Sequence, residues 1–467
     1  MSEPKSGDRA TSIEKIGVEH VPESKRHGSP RRIFTLWFAA NLTIADYVIG
    51  VLCTTPASGG GFGLTVSQSI PVLLLGNVLG GLVLGLSAAM GPKLGFPQMF
   101  SSRSVFGRRG NYLLGAFNWV STIGWFAVNT ILGSEAIMVV IPKANFFVVA
   151  SILVLVQVLI AIYGHDFIHL FEKWMSIILG ILWSGVLLVS LIHLGSAISY
   201  VPSGGSASVA SVGALGLVLS SAFSYIMSWS PYASDYSRYL PSGASMRKVT
   251  IFGLAGGVVA SFGVEVIGSL VGSLTSSNSN YFSSLNQFAG SFGLFAIGAV
   301  VLGAIAANSL NIYTNSLSAL VLDVRTKRWI TVVIGGIVGL AITAAVGVKF
   351  PQFFENFLLT LDYWITPWLA MILVDFFVLR RTTTASIVNA RSIDVASLLI
   401  YGLSIAVSAP FMVPLISVPY PLNFFVGRLS SLFGGADFSY FISFAIAAMV
   451  YFAYRRSTKK NNLTSAL

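Results

Sequence analysis

Apolar residues in this chain fall in long runs, with neither the strict alternation of strands nor the one-sided spacing of soluble amphipathic helices. The runs cover roughly 33–55, 64–89, 111–141, 145–163, 170–194, 211–232, 249–273, 291–322, 329–348, 354–379, 395–417 and 438–454. Most reach the ~20 residues that an α-helix needs to cross about 30 Å of hydrocarbon. Short polar segments separate them. The pattern predicts an all-α polytopic membrane protein with twelve transmembrane helices, here numbered as spans 1–12.

Charge fixes the orientation. Threaded back and forth from an inner N-terminus, the chain places 25 of its 28 Lys and Arg on the inner side. The outer loops keep only Lys143, Lys349 and Arg428. Adding or losing one span would scramble this bias, so both ends are expected in the cytoplasm of a multi-pass cell-membrane protein. The expected parts are an N-terminal tail (1–31), spans 1–5 (32–194), spans 6–10 (211–380), spans 11 and 12 (394–455) and a C-terminal tail (456–467). The first tail is polar, without the apolar core of a cleaved signal, and is expected to be mobile up to about Gly17.

Composition agrees. A hydrophobic fraction of 54%, only 10% charged residues and a mean hydropathy of +0.79 exclude a soluble globular chain. The net charge of +11 belongs to short inner loops facing anionic lipid, not to a nucleic-acid surface. The single Cys53 forms no internal disulfide.

Two spans carry polar interruptions. Span 1 reads Leu36-Trp37-Phe38-Ala39-Ala40-Asn41-Leu42-Thr43-Ile44-Ala45-Asp46. Span 6 contains Ser224, Ser228 and Ser230 before Pro231, with Tyr225 and Trp229 among them. Serine competes for backbone bonds and proline lacks an N–H, so both weaken a helix. Interrupted segments at matching positions of two halves point to an inverted-repeat secondary transporter, although a packed, merely kinked span would read the same way.

Span 8 carries Asn308, Asn311 and Asn315 on one face, and span 3 carries Trp125 and Asn129 one turn apart. Amides supply the donors and acceptors that the edge of a heterocyclic base requires. An indole face offers a stacking platform of about 1–3 kcal/mol per base. The plainer readings are glue between helices for the amides and an interface anchor for Trp125. Asp46, Glu135, Glu265 and Asp362 are the carboxylates away from the span ends, and apart from Lys173 no basic residue inside a span neutralises them. Each must be protonated, wetted or cation-bound, with Asp46 and Glu265 the candidates for a proton site. No histidine cluster has metal-ligand spacing, there is no phosphate-binding loop, and no catalytic constellation suggests an enzyme. The glycines 76, 80, 81 and 85 of span 2 read as helix packing.

The chain also resembles the nucleobase–cation symport family one, in its purine–cytosine permease branch. The residues that carry this are Gly17-Val18-Glu19-His20-Val21-Pro22-Glu23, Leu36 to Asn41, Ser101-Ser102-Arg103-Ser104-Val105-Phe106-Gly107 and Gly124-Trp125. Further on come Ala233-Ser234-Asp235-Tyr236-Ser237-Arg238-Tyr239-Leu240-Pro241, Asn311-Ile312-Tyr313 and Asp375-Phe376-Phe377-Val378-Leu379-Arg380. The resemblance implies a leucine-transporter-like, five-plus-five inverted repeat of the APC superfamily with two further helices. It implies a base site among spans 1, 3, 6 and 8, to which Asn41, Thr43, Ser228, Asn308 and Asn315 are added as lining candidates. Trp125 would stack on the base while Asn129 and Asn311 hydrogen-bond it; the second wall falls at Ile226, Tyr225 or Trp229. Ala306 and Ser309 mark the expected cation region. Leu310 stands where sodium-coupled relatives offer a second hydroxyl, so the coupling ion is expected to be a proton, with Glu265 at a position similar to an acidic one in proton-coupled fungal members. The expected function is symport of cytosine or purines by a monomer without metal or cofactor. A carrier of allantoin, a hydantoin, thiamine or a vitamin B6 form is the alternative, and a channel or non-transporting sensor fits less well.

Overall fold

The structure, a computed structural model, describes residues 13–204, 210–275, 280–347, 363–413 and 425–464. All regular structure among them is helical. Spans 2 to 5 are Val66–Leu94, Asn111–Val140, Phe146–Tyr163 and His165–Ile192. Spans 7 to 9 are Met246–Leu274, Gly293–Val321 and Arg328–Val346. Eight helices among the described residues are long and apolar enough to cross a membrane, or up to nine with one bent pair joined. Tyr363–Val378 and Val395–Phe411, the described parts of spans 10 and 11, are shorter apolar helices. The start of the tenth predicted run, Asp362 included, and the end of the eleventh lie outside the described residues. The last helix, Ser439–Thr464, runs through most of the segment expected as a C-terminal tail.

Span 1 is the bent pair: Arg31–Ala40 (span 1a) and Ile44–Thr54 (span 1b) meet at 58°. Asn41, Leu42 and Thr43 form the joint, where Thr43 is extended at φ −118° and ψ 162°. Main chain released from helical bonding inside a bundle needs other partners. Asn41 Nδ2 donates to Trp37 O at 2.7 Å, and Trp183 Nε1 of span 5 donates to Leu42 O at 3.2 Å. Span 6 changes winding rather than direction. Its helix Val212–Met227 gives way to a 3₁₀ turn, Ser230–Tyr232, around Pro231, and resumes as Ala233–Ser237.

Contacts between spans repeat when each of spans 1–5 is exchanged with the span five further on. Span 1 packs on span 7 as span 6 packs on span 2, and spans 8 and 4 meet as spans 3 and 9 do. Spans 2 and 7 lie along one another, and so do 3 and 8. Glycine makes these approaches close. A Cβ on Gly80 would stand 2.6 Å from Phe223 O, and one on Gly85 2.3 Å from Thr250 O. The same holds between spans 1b and 7, where a Cβ on Gly50 would meet Glu265 O at 2.0 Å.

One end of the bundle collects the basic loops. Arg103 and Arg108 of the 2–3 connection pair with Asp323 after span 8, and Arg108 N donates to Arg391 O. Arg455 of the last helix pairs with Asp394 before span 11. The described part of the N-terminal tail is docked on this basic face, contrary to the expected mobility up to Gly17. Glu14 N donates to Tyr163 O, and Gly17 O accepts from Arg238 Nη1 at 2.6 Å. The physical reason is charge: Arg238 is fully buried and requires a counter-ion, which Glu14 supplies at 3.4 Å.

Candidate functional site

The joint of span 1 and the turn of span 6 face each other. Thr43 Oγ1 and Tyr225 OH are 2.6 Å apart, and Thr43 also donates to Asp46 Oδ2 at 3.2 Å. Trp229 Nε1 donates to Asn41 Oδ1 at 3.0 Å, and Ser261 of span 7 reaches the same oxygen at 3.3 Å. Trp125 from span 3 meets Tyr225 edge to face, with centroids 5.6 Å apart. Trp229 in turn stands T-shaped on Tyr232 at 5.3 Å. Ser228 lies here too, but its hydroxyl is spent on its own turn, donating to Tyr225 O. Ile226 points away, packed near Gly80 and Gly257 between spans 2 and 7, whereas Tyr225 meets Trp125 and Trp229 packs against Trp37.

The amides of spans 3 and 8 form a chain beside these rings. Asn129 Nδ2 and Asn311 Nδ2 both donate to Asn308 Oδ1 at 3.2 Å, and Asn311 Oδ1 accepts from Tyr232 OH at 3.1 Å. Asn308 Nδ2 faces Phe126 O, Thr130 Oγ1 and Gln157 Oε1, which ties span 8 to spans 3 and 4. Asn315 lies one turn beyond and bonds Trp119 O and Thr122 Oγ1 of span 3. The three amides of span 8 thus divide their work: Asn308 and Asn315 join helices, while Asn311, with Asn129 of span 3, borders the aromatic cluster. Asn129 Oδ1 has no hydrogen-bond partner among the described residues. All the residues singled out from the sequence for substrate and cation are at most 5% exposed, so the cluster is closed to both faces.

The carboxyls of Asp46, Glu265 and Glu172 are fully buried in the bundle. Asp46 and Glu265 are close enough to interact, and Glu265 Oε2 accepts from Asn77 of span 2. Ser309 Oγ lies 2.8 Å from Ala306 O and 3.2 Å from Glu172 Oε1. Glu172 is fully buried, its Oε2 has no partner, and no basic side chain pairs with it among the described residues. Glu135, in contrast, is half-buried near the other end of span 3.

Several of these side chains escape sequence reasoning. Glu172 sits beside Lys173 and reads as an inner-end residue, but span 5 begins at His165, which carries Glu172 about 10 Å into the helix. Gln157 carried a usable signal, as the one amide in an otherwise apolar span 4. Tyr232 and Asn77 carried none beyond their residue type.

The segment 233–241 fastens span 6 at the basic face. Asp235 accepts from Gln98 N at 2.8 Å and Thr314 Oγ1 at 2.9 Å, while Ser237 Oγ donates to Ala88 O and Tyr236 OH to Leu310 O. Below it, Glu14 Oε1 accepts from Tyr239 OH at 2.5 Å and Tyr313 OH at 3.1 Å, and its Oε2 from His165 N. Burial pushes the Glu14 carboxyl up, but Arg328 and Arg238 outweigh it and hold the group below its ordinary value.

Comparison with known proteins places this arrangement in a family. Residues 20–417 match the model of permeases for cytosine/purines, uracil, thiamine and allantoin. The chain is 27% identical to a putative purine-cytosine permease of Bacillus subtilis, over 96% of this chain and 97% of the relative. It is 28% identical to a purine-cytosine permease of Emericella nidulans, over 95% and 88%. Its fold matches Mhp1, a nucleobase-cation-symport-1 family transporter in a closed conformation with bromovinylhydantoin bound. That match has a TM-score of 0.77 at 17% identity, covering 96% of this chain and 97% of that one. The match covers most of the chain, and the protein therefore belongs to the multi-pass membrane permease family for cytosine and purines, uracil, thiamine and allantoin.

Proposed function

We propose that this permease imports cytosine or a purine together with a proton, by alternating access, with its basic face in the cytoplasm. The carrying observation is the pairing of the Trp125 ring with the free edge of Asn129 and the Asn311 amide. A flat guest between Trp125 and the span 6 aromatics gains stacking, and its polar edge pairs with amide groups that water otherwise serves. The purine-cytosine relatives support the substrate class.

Protons fit the bundle's interior better than sodium. Where a metal ion would need several oxygens, Ser309 stands beside a carboxyl, Glu172, and the next residue, Leu310, offers no oxygen from its side chain. A bare charge on Glu172 would be uncompensated in the bundle, so the group takes up and releases a proton as the site opens to one side or the other. One proton entering across ~100 mV supplies about 2.3 kcal/mol, enough for roughly fiftyfold accumulation. Substrate and proton bind together because each alone leaves polar groups unpaired in the closed cluster.

The test is uptake of labelled cytosine and hypoxanthine into reconstituted vesicles, with proton and sodium gradients imposed separately. Accumulation driven by the proton gradient alone is expected. Sodium-driven accumulation would overturn the coupling ion, and competition only by hydantoins, allantoin or vitamin B6 forms would overturn the substrate.

A further inference from the structure

At the basic face, away from the substrate cluster, His27 of the tail meets His165 and Asp166 at the start of span 5. His27 Nε2 is 2.7 Å from Asp166 Oδ1 and His165 Nδ1 is 3.1 Å from the same oxygen. All three donor atoms lie within 4.8 Å of one another. The outer nitrogens are committed elsewhere. His27 Nδ1 lies 2.9 Å from Lys25 O and His165 Nε2 3.2 Å from Tyr236 O. A carbonyl only accepts, so each outer nitrogen carries its proton. The inward nitrogens lie against the Asp166 carboxylate and donate to it, so each gives up that proton to an entering ion. Two lone pairs and a carboxylate then converge on one point, with the outer N–H groups held by backbone carbonyls, as metal-ligating histidines usually are.

We propose that His27, His165 and Asp166 bind a divalent transition-metal ion of zinc's character, completed by water, and that the ion staples the tail to span 5. Donor atoms of a tetrahedral ion with bonds of about 2.0–2.1 Å stand about 3.3 Å apart. The observed separations of 2.7 and 3.1 Å from Asp166 Oδ1 fall short of that value by a few tenths of an ångström. Arg32 nearby disfavours a cation here, whereas Glu14 beside His165 favours one. His169 and Tyr239 flank the His165 ring at 4.5 and 4.1 Å and restrict it. Protons compete for the same lone pairs. The hydrogen bond to Asp166 holds His27 above its ordinary value, so metal binding releases protons and weakens as pH falls. The tail is anchored beside Tyr239 as well, where His27 N donates to its carbonyl at 2.6 Å. The ion therefore sits against the end of span 6, and its binding opposes any opening there.

The test uses the purified full-length chain in detergent, titrated calorimetrically with Zn²⁺ and, as control, Mg²⁺. One zinc per chain is expected, with proton release, a raised Tm and no response to Mg²⁺. His27→Gln, a tail substitution, and Asp166→Ala are each expected to weaken zinc at least tenfold and abolish the rise in Tm. In vesicles, zinc on the tail side is expected to slow uptake by the unaltered chain and not by His27→Gln. No zinc binding, or unchanged affinity in His27→Gln, overturns the site; in that case a pH-dependent loosening of the tail would assign the cluster to protons alone. The titration needs no substrate, so its outcome is independent of the transport reading.

Discussion

The hydroxyls of Thr43 and Tyr225 lie 2.6 Å apart, so the joint of span 1 is fastened to span 6 beside the Trp125 ring. Opening the cluster to admit a guest breaks this contact, and closing over the guest remakes it, so the bond favours the closed, occupied state. Tyr225→Phe keeps the ring and removes the bond, leaving Thr43 with Asp46 alone. Losing one buried hydrogen bond costs about 1–3 kcal/mol. The expected result is a KM for nucleobase uptake raised roughly tenfold at unchanged membrane level, read from concentration-dependent uptake. An unchanged KM would separate Tyr225 from the guest.

The asparagines of span 8 should divide under mutation. Asn308 faces spans 3 and 4 through three acceptors, so Asn308→Ala should lower the Tm of purified protein and its amount in the membrane. Among the described residues the Asn311 side chain bonds Asn308 and Tyr232, at the edge of the aromatic cluster. Asn311→Ala is expected to reach the membrane normally and lose uptake. The two measurements together, thermal melting and transport, distinguish a helix-joining amide from a guest-holding one.

Glu172→Gln preserves size and the contact with Ser309 but cannot carry a proton. Vesicles with this variant should equilibrate labelled base without accumulating it under an imposed pH gradient. Glu265→Gln should do the same if the Asp46–Glu265 pair shares the coupling. Full accumulation by Glu172→Gln would assign the proton to the latter pair.

Glu14 fastens the tail to Arg238, Arg328, Tyr239 and Tyr313. Its carboxyl is held below the ordinary value of 4.5, so its contribution is complete above that pH and is lost only as pH falls through the lowered value. The clamp is therefore constant across the neutral range. Removing one partner of a buried ion pair costs about 3–5 kcal/mol, here concentrated at one end of the bundle. Glu14→Ala is expected to raise amide hydrogen exchange in residues 13–23 and in 233–241 and to speed efflux of preloaded base. Unchanged exchange would show that the tail is held by other contacts.

The architecture was legible in the sequence because its cause is local: long apolar runs must become helices, and the short loops carry the charge bias. The joint at Asn41–Thr43 was legible for the same reason, since its polar residues lie mid-run. What could not be read is which polar side chain meets which. Asn315 and Asn311 share a helical face, yet four residues separate a contact with Thr122 from one with Tyr232. Glu172 was hidden by its basic neighbour, because the start of span 5 depends on the turn at Gly164, whose φ of +91° favours glycine. The docked tail was invisible because Glu14 reads as an ordinary solvated charge until a buried Arg238 is found opposite it.

The indole of Trp183 holds the carbonyl that the joint of span 1 sets free, and Gly303 of span 8 lies so close behind that a Cβ there would stand 2.5 Å from the same Leu42 oxygen. The elbow is thus seated in a socket built by spans 5 and 8. Under the proposed alternating access Leu42 would be the fulcrum, and side-chain bulk added at position 303 would jam the swing without touching the guest.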